Sequence, residues 1–436
     1  MISRFDRSNA LQKRALQTIP LASQTFSKSV LQTVEGAAPL FLERGEGCRV
    51  WDVDGNSYID YVLGLLPVVL GYGDPAVDAA LRAQLDNGIS FSLSTELEIR
   101  LAEELVRLIP CAEMVRFGKN GSDATSAAIR LARAHTGRDR VALCGYHGWH
   151  DWYIGSTTRH LGVPQAVRDL SVSFPFNDAD ALEALLQAAP DAYAAVILEP
   201  MALEAPAPGF LEAVRALCDR YGVVLVFDEI ITGFRMDLGG AQTVFGVTPD
   251  LAAFGKAMGN GMPISAIVGR RQIMRRMEDI FFSGTFGGEA LSLAASLATI
   301  GKLEAEAGPA RFAATGAALK AGVGSHIADL GLGEEIAVKG GDWWAGVLPT
   351  GKGRGDGVLV GSLLKQELVA EGILMGPTFN LCLAHCDETL IEETLASWGR
   401  AAARVAEALA SNDPATYLRG KPMRPVFQVR SHNEEG

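Results

Sequence analysis

Between about residues 75 and 300, short apolar runs alternate with longer stretches of helical period. Runs at 113–117, 140–144, 194–198, 223–227, 251–254 and 264–268 predict strands, and stretches at 96–108, 122–136 and 209–221 predict helices. Strands alternating with helices predict an α/β fold with a doubly wound, mostly parallel sheet. Ligands of such sheets bind outside the carboxyl ends of the strands. The first 50 residues read as an N-terminal arm with a helix. Val-Trp-Asp-Val-Asp-Gly-Asn at 50–56 then sets two alternating stretches around an Asp-Gly turn, which predicts a hairpin. Past about 305, an Ala-rich helix leads into Gly-rich strands, a polar loop at 349–357, another helix and a terminal helix. The expected division is 1–70 (arm and part of a small domain), 71–305 (large α/β domain) and 306–436 (small α+β domain).

Composition narrows the class. The 436 residues are 48% hydrophobic and 21% charged, a globular profile with a substantial core. A net charge of −12 disfavours a nucleic-acid or anionic-membrane surface, so neither partner is expected. No uninterrupted apolar stretch approaches the roughly 18–20 residues that span a bilayer. Met-Ile-Ser-Arg-Phe-Asp-Arg at the start lacks the apolar region of a signal peptide. Six scattered cysteines (48, 111, 144, 218, 382 and 386) read as reduced thiols, so a cytoplasmic enzyme is expected.

Two strand ends carry the chemistry. Asp228 closes Val-Val-Leu-Val-Phe-Asp, and Lys256 follows the apolar stretch 251–254 in Phe-Gly-Lys-Ala. A lysine can form an imine with an aldehyde, and an aspartate can hold a protonated ring nitrogen. Pyridoxal phosphate needs both. Gly118-Lys119-Asn120-Gly121-Ser122-Asp123-Ala124-Thr125 lies between a predicted strand and a long helix. Its glycines permit a tight turn and Ser122 can cap the helix, whose N-terminus would face a phosphate. An ordinary capped helix explains the segment about as well. Ser283-Gly284-Thr285-Phe286-Gly287-Gly288-Glu289 could add donors to the same phosphate, or could be a plain glycine loop before a helix. Gly145-Tyr146-His147-Gly148-Trp149-His150 presents aromatic rings at a strand end, where Tyr146 can stack on a flat heterocycle. Ile230 is positioned to pack on its other face, and Glu199 in Ile-Leu-Glu-Pro could brace the network. His147 with His150, and Cys382 with His385 and Cys386, are metal-type residues. They lack a full ligand set at sensible spacing, and no metal is expected.

In order along the chain, these segments resemble the class III, or omega-type, pyridoxal phosphate-dependent aminotransferases of fold type I. The pattern is similar to that of glutamate-1-semialdehyde 2,1-aminomutase and its aminotransferase relatives. The resemblance covers about 18–400. It rests on Trp-Asp-Val-Asp-Gly-Asn (51–56), Asn-Gly-Ser-Asp-Ala (120–124), Tyr-His-Gly (146–148), Phe-Asp-Glu-Ile (227–230), Thr-Gly-Phe-Arg (232–235), Gly-Lys (255–256) and Gly-Thr-Phe-Gly-Gly (284–288). It implies a Lys256 aldimine, Asp228 on the pyridine nitrogen, Tyr146 on the ring with His147 beside it, and Gly121 and Ser122 on the phosphate. It further implies a homodimer with shared sites, in which Thr285 reaches the neighbouring subunit's phosphate. The implied reaction moves an amino group between an amine donor and an aldehyde or ketone acceptor, both small molecules. An intramolecular aminomutase acting on glutamate 1-semialdehyde is the alternative. The resemblance also implies a late strand at Asn380-Leu381-Cys382-Leu383-Ala384, where family members acting on amino acids often carry an arginine that this chain lacks. Lys28 falls where the aminomutase has a carboxylate-binding arginine, and Glu204 near that late arginine's partner. Both are expected at the substrate.

Overall fold

A computed structural model describes residues 4–424. Along the chain the strands are β1 (Leu42–Glu46), β2 (Arg49–Asp52), β3 (Ser57–Asp60), β4 (Met114–Gly118), β5 (Arg140–Cys144), β6 (Ser171–Ser173), β7 (Tyr193–Leu198), β8 (Val224–Asp228), β9 (Leu251–Phe254), β10 (Ser265–Gly269), β11 (Ile336–Gly341), β12 (Trp344–Pro349) and β13 (Ile373–Leu374). The described residues form two compact units. One comprises the chain up to Asp74 and from Arg311 onward; the other is Pro75–Ala310.

The Pro75–Ala310 unit is built on a seven-stranded sheet of order β4-β10-β9-β8-β7-β5-β6. Strands β6, β5, β7, β8 and β9 run parallel. Strand β10 runs antiparallel to both β9 and β4, so β4 points the same way as the parallel block. Every residue of β7, β8, β9 and β10 is buried, which is why they read as continuous apolar runs. The helix Gly121–Thr136 lays Ala124, Ala127, Ala128, Leu131 and Ala132 on this core. Gly137 ends it at φ +69, in the left-handed conformation that favours glycine. The carboxyl ends of β4, β9, β8, β7 and β5 therefore open on one edge. Their register sets Cys144 beside Leu198, Leu198 beside Phe227, and Asp228 beside Ala253.

The other unit carries the sheet β1-β2-β3-β13 and the hairpin β11-β12. The expected hairpin is β2 and β3, antiparallel around a turn with Gly55 at φ +88. The arm contains the helix Asp6–Ala15 and gives way to β1 at Leu42, earlier than residue 50. The late strand does not form: Asn380 to Cys382 are irregular and Leu383–His385 is a 3-10 turn. The N–H groups of Phe379, Asn380 and Leu383 donate to the carbonyls of Ala345, Tyr61 and Val69, three separate segments, so no ladder can propagate. Phe379, Leu381 and Cys382 are almost wholly buried, and burial alone gives the segment its strand-like pattern.

Candidate functional site

Lys256 follows β9 after a single glycine and adopts φ +34, a left-handed value that lysine rarely takes. Such a conformation costs on the order of 1–3 kcal/mol and persists where its surroundings impose it. Burial lowers the Lys256 amine from its ordinary value; the carboxylates of Asp228 and Glu199 pull it up, and Arg235 adds to the lowering. A lysine so placed spends more time as the neutral nucleophile.

Asp228, the last residue of β8, is buried. It accepts hydrogen bonds from His147 Nδ1 at 2.8 Å and from the Ile230 N–H at 3.2 Å. His147 Nε2 faces the Cys144 carbonyl at 3.1 Å. His147 thus bridges the Asp228 carboxylate and the Cys144 carbonyl through its two ring nitrogens. Glu199, just past β7, accepts the Tyr146 N–H at 2.9 Å. Burial and then the Asp228 charge raise its carboxyl above the usual range, against the pull of His147, the Tyr146 N–H and Lys256. Gly145 is needed where it stands: it adopts φ +107, and a Cβ there would lie 2.5 Å from Glu199 Oε2. Tyr146 is 46% exposed, with its ring edge-on to Tyr153 at 5.5 Å.

Beyond β4, Asn120 rather than Ser122 is the N-cap, and its own N–H donates to Asp123 at 2.8 Å. Ser122 is thereby released from capping. It lies in the first turn, 8% exposed, where its hydroxyl accepts the Trp149 N–H at 3.2 Å. Thr125 donates to the His147 carbonyl at 2.8 Å, so the helix start and the aromatic loop interlock. A Cβ on Gly121 would lie 2.5 Å from Ile230 Cδ1, and one on Gly148 would lie 2.2 Å from Ser122 Oγ. Lys119 Nζ is held by Glu289 at 2.8 Å, joining this turn to the foot of the helix Ala290–Ala305. Thr285 is exposed on the turn before that helix.

The sheet thus gathers Gly121, Ser122, Tyr146, His147, Glu199, Asp228, Ile230 and Lys256 along one edge. The pairing of His147 with Asp228, the Thr125 contact and the Lys119–Glu289 tie are features that the sequence did not reveal. Glu204 lies in the same unit, exposed, accepting from Asn177 at 3.1 Å. Lys28 belongs to the other unit, on an exposed turn from which its charge acts on buried Asp60. Cys382 Sγ sits 3.2 Å from His385 Nδ1. Among the described residues no group of three or more His, Cys, Asp or Glu side chains is placed to hold a metal ion.

The donor set fits a phosphorylated pyridine aldehyde. It has an amine lowered by burial, a buried carboxylate held by a histidine, and a glycine cradle at a helix N-terminus whose space a Cβ would fill. Comparison with known proteins agrees. The class-III aminotransferase profile matches residues 31–340. The chain is 38% identical over 398 residues to the 3-aminobutyryl-CoA aminotransferase of Cloacimonas acidaminovorans, covering 88% of this chain and 94% of that protein. It is 41% identical over 313 residues to the glutamate-1-semialdehyde 2,1-aminomutase of Syntrophobacter fumaroxidans, covering 68% and 72%. It superposes on the internal aldimine form of the FumI protein from Sphingopyxis sp. MTA144 with a TM-score of 0.86 at 31% identity, over 94% of this chain and 99% of that one. Fold and site define a pyridoxal phosphate enzyme of fold type I. The chain belongs to the class-III aminotransferase family.

Proposed function

We propose that this enzyme transfers an amino group between a small amine and an aldehyde or ketone acceptor at the edge formed by Lys256, Asp228 and the Gly121–Ser122 turn. The depressed Lys256 amine, enclosed beside Asp228 and Glu199, carries this reading. Bound pyridoxal phosphate supplies an electron-withdrawing ring that stabilises the charge left when a substrate carbon loses its proton. Lys256 Nζ would hold the cofactor and, when free of it, would take and return the substrate proton. Asp228, fixed by its hydrogen bond with His147, would hold the proton on the ring nitrogen. Glu199 fixes the backbone that presents Tyr146 to the ring, and Ile230 closes the opposite face. Gly121, Ser122 and the helix N-terminus bind the phosphate.

The residues 380–384 carry no arginine, so the contact with a substrate α-carboxylate that the resemblance would supply is missing. This favours amines whose nitrogen lies β to or farther from an acyl group, in keeping with the relative named for 3-aminobutyryl-CoA. Lys28 and Glu204 are candidates for the substrate's polar end. The enzyme works as a homodimer in the cytoplasm, with Thr285 reaching the partner's phosphate. Ile89, Phe91, Leu93, Phe281 and Phe286 are exposed, and Ala290 donates to the Ile89 carbonyl, supporting a shared apolar face.

An intramolecular aminomutase is the second reading, favoured by the 41% identity to an enzyme of that name. A half-reaction screen separates the two: β-amino and ω-amino compounds should convert the cofactor to its amine form, and a keto acceptor should restore it. Conversion of glutamate 1-semialdehyde with no added donor, and no response to any other amine, would reverse the choice.

A further inference from the structure

A cavity of about 320 Å³ lies within the unit that contains the helix Gly357–Ala370, far along the sequence from Lys256. Its size is at the lower end of the ~300–1,000 Å³ typical of small-ligand sites. Leu364, Leu368, Val347, Met375 and Met423 make its wall apolar. Its charged lining residues are Lys365 and Arg424, both cations, and no acid lines it. Burial alone moves the Lys365 amine, from 10.5 down to about 8, and no carboxylate acts on it. Glu367, the nearest acid along the helix, is engaged with Arg404 and Arg419. Two positions along a helix face different ways, so Glu367 cannot serve Lys365.

An unpaired lysine in an apolar cavity is costly to keep charged. An anion that brings its own apolar body relieves that cost, because the amine gains a partner and the walls gain packing. We propose that this cavity binds a small monocarboxylate with an aliphatic or aromatic body, its carboxylate paired with Lys365. The apolar wall suits the body of such an acid, which inorganic phosphate lacks, and that is why the carboxylate is preferred. The site is independent of the reaction assigned above.

The test is competitive acetylation of the holoenzyme by trace acetic anhydride, read lysine by lysine by mass spectrometry, with octanoate as the probe. Millimolar octanoate should slow labelling of Lys365 at least fivefold and spare the other lysines, while 1-octanol at equal concentration protects far less. Calorimetric binding of octanoate should weaken at least tenfold in Lys365→Met. That variant replaces an unpaired cation with an apolar side chain, so it should fold and keep its aminotransferase activity. Unchanged labelling of Lys365 at 10 mM octanoate, on the order of ten-thousandfold above a 1 μM Kd, overturns the proposal. Equal binding by Lys365→Met does so too. Octanoate that inhibits turnover without protecting Lys365 is bound at the cofactor edge and also counts against it.

Discussion

His147→Ala isolates the contact that holds the Asp228 carboxylate in place. The variant removes the 2.8 Å bond to Asp228 and the 3.1 Å bond to the Cys144 carbonyl, leaving Asp228 with only the 3.2 Å Ile230 N–H among those contacts. Deleting the partner of a buried, hydrogen-bonded carboxylate costs about 1.5–3 kcal/mol. A carboxylate that loses this bond is free to turn away from the ring nitrogen. At about 1.4 kcal/mol per tenfold, single-turnover deamination should slow roughly ten- to over a hundredfold. His147→Asn can keep a donor toward Asp228 and should recover much of that loss. Stopped-flow absorbance during the amine half-reaction gives the rate, and dialysis followed by absorbance checks that the cofactor is retained. An Ala variant that holds its cofactor and reacts within threefold of the parent refutes the assigned role of His147.

Gly148→Ala should weaken pyridoxal phosphate binding at least tenfold by equilibrium dialysis, because its Cβ would lie 2.2 Å from Ser122 Oγ at a backbone φ of +107. Gly162→Ala, at φ +92 with nothing within 4 Å, is the matched control: it carries the backbone strain and should leave cofactor affinity unchanged. Lys365→Met gives a pH signature. The folded value of about 8 lies below the 10.5 of an exposed lysine, so between those values the unfolded chain holds more protons. The neutral-lysine stability is therefore full above 10.5 and lost as pH falls through about 8. At pH 7 the Met variant should be up to about 3 kcal/mol more stable by chemical denaturation, with the gap narrowing from pH 8 upward. A gap that is constant with pH contradicts the depressed amine.

The strand ends were legible because parallel strands buried on both faces end abruptly, and Asp228, Glu199 and Lys256 stand where apolar runs meet polar residues. Their alignment follows from the βαβ topology that the alternating pattern predicts. The partner of Asp228 was not legible. His147 lies 81 residues away, and the two meet only through the register that sets β5 beside β7 and β7 beside β8. The cap was misread because Asn120 and Ser122 are both good capping residues. The back-bond from Asp123, three positions beyond Asn120, decides between them. The late strand failed for a different reason, since a buried apolar segment can satisfy its backbone piecemeal, as Phe379, Asn380 and Leu383 do. Lys365 gave no sign at all: a helix lysine looks the same in sequence whether it meets water or a cavity.

Borohydride reduction of the holoenzyme followed by peptide mapping tests the assignment of Lys256 most directly. The visible band of the lysine-bound cofactor should disappear on reduction, and a single pyridoxyl group should be found on Lys256. Lys256→Ala should show neither the band nor the labelled peptide. A pyridoxyl group on another lysine, or a Lys256→Ala protein that keeps the band, would contradict the site.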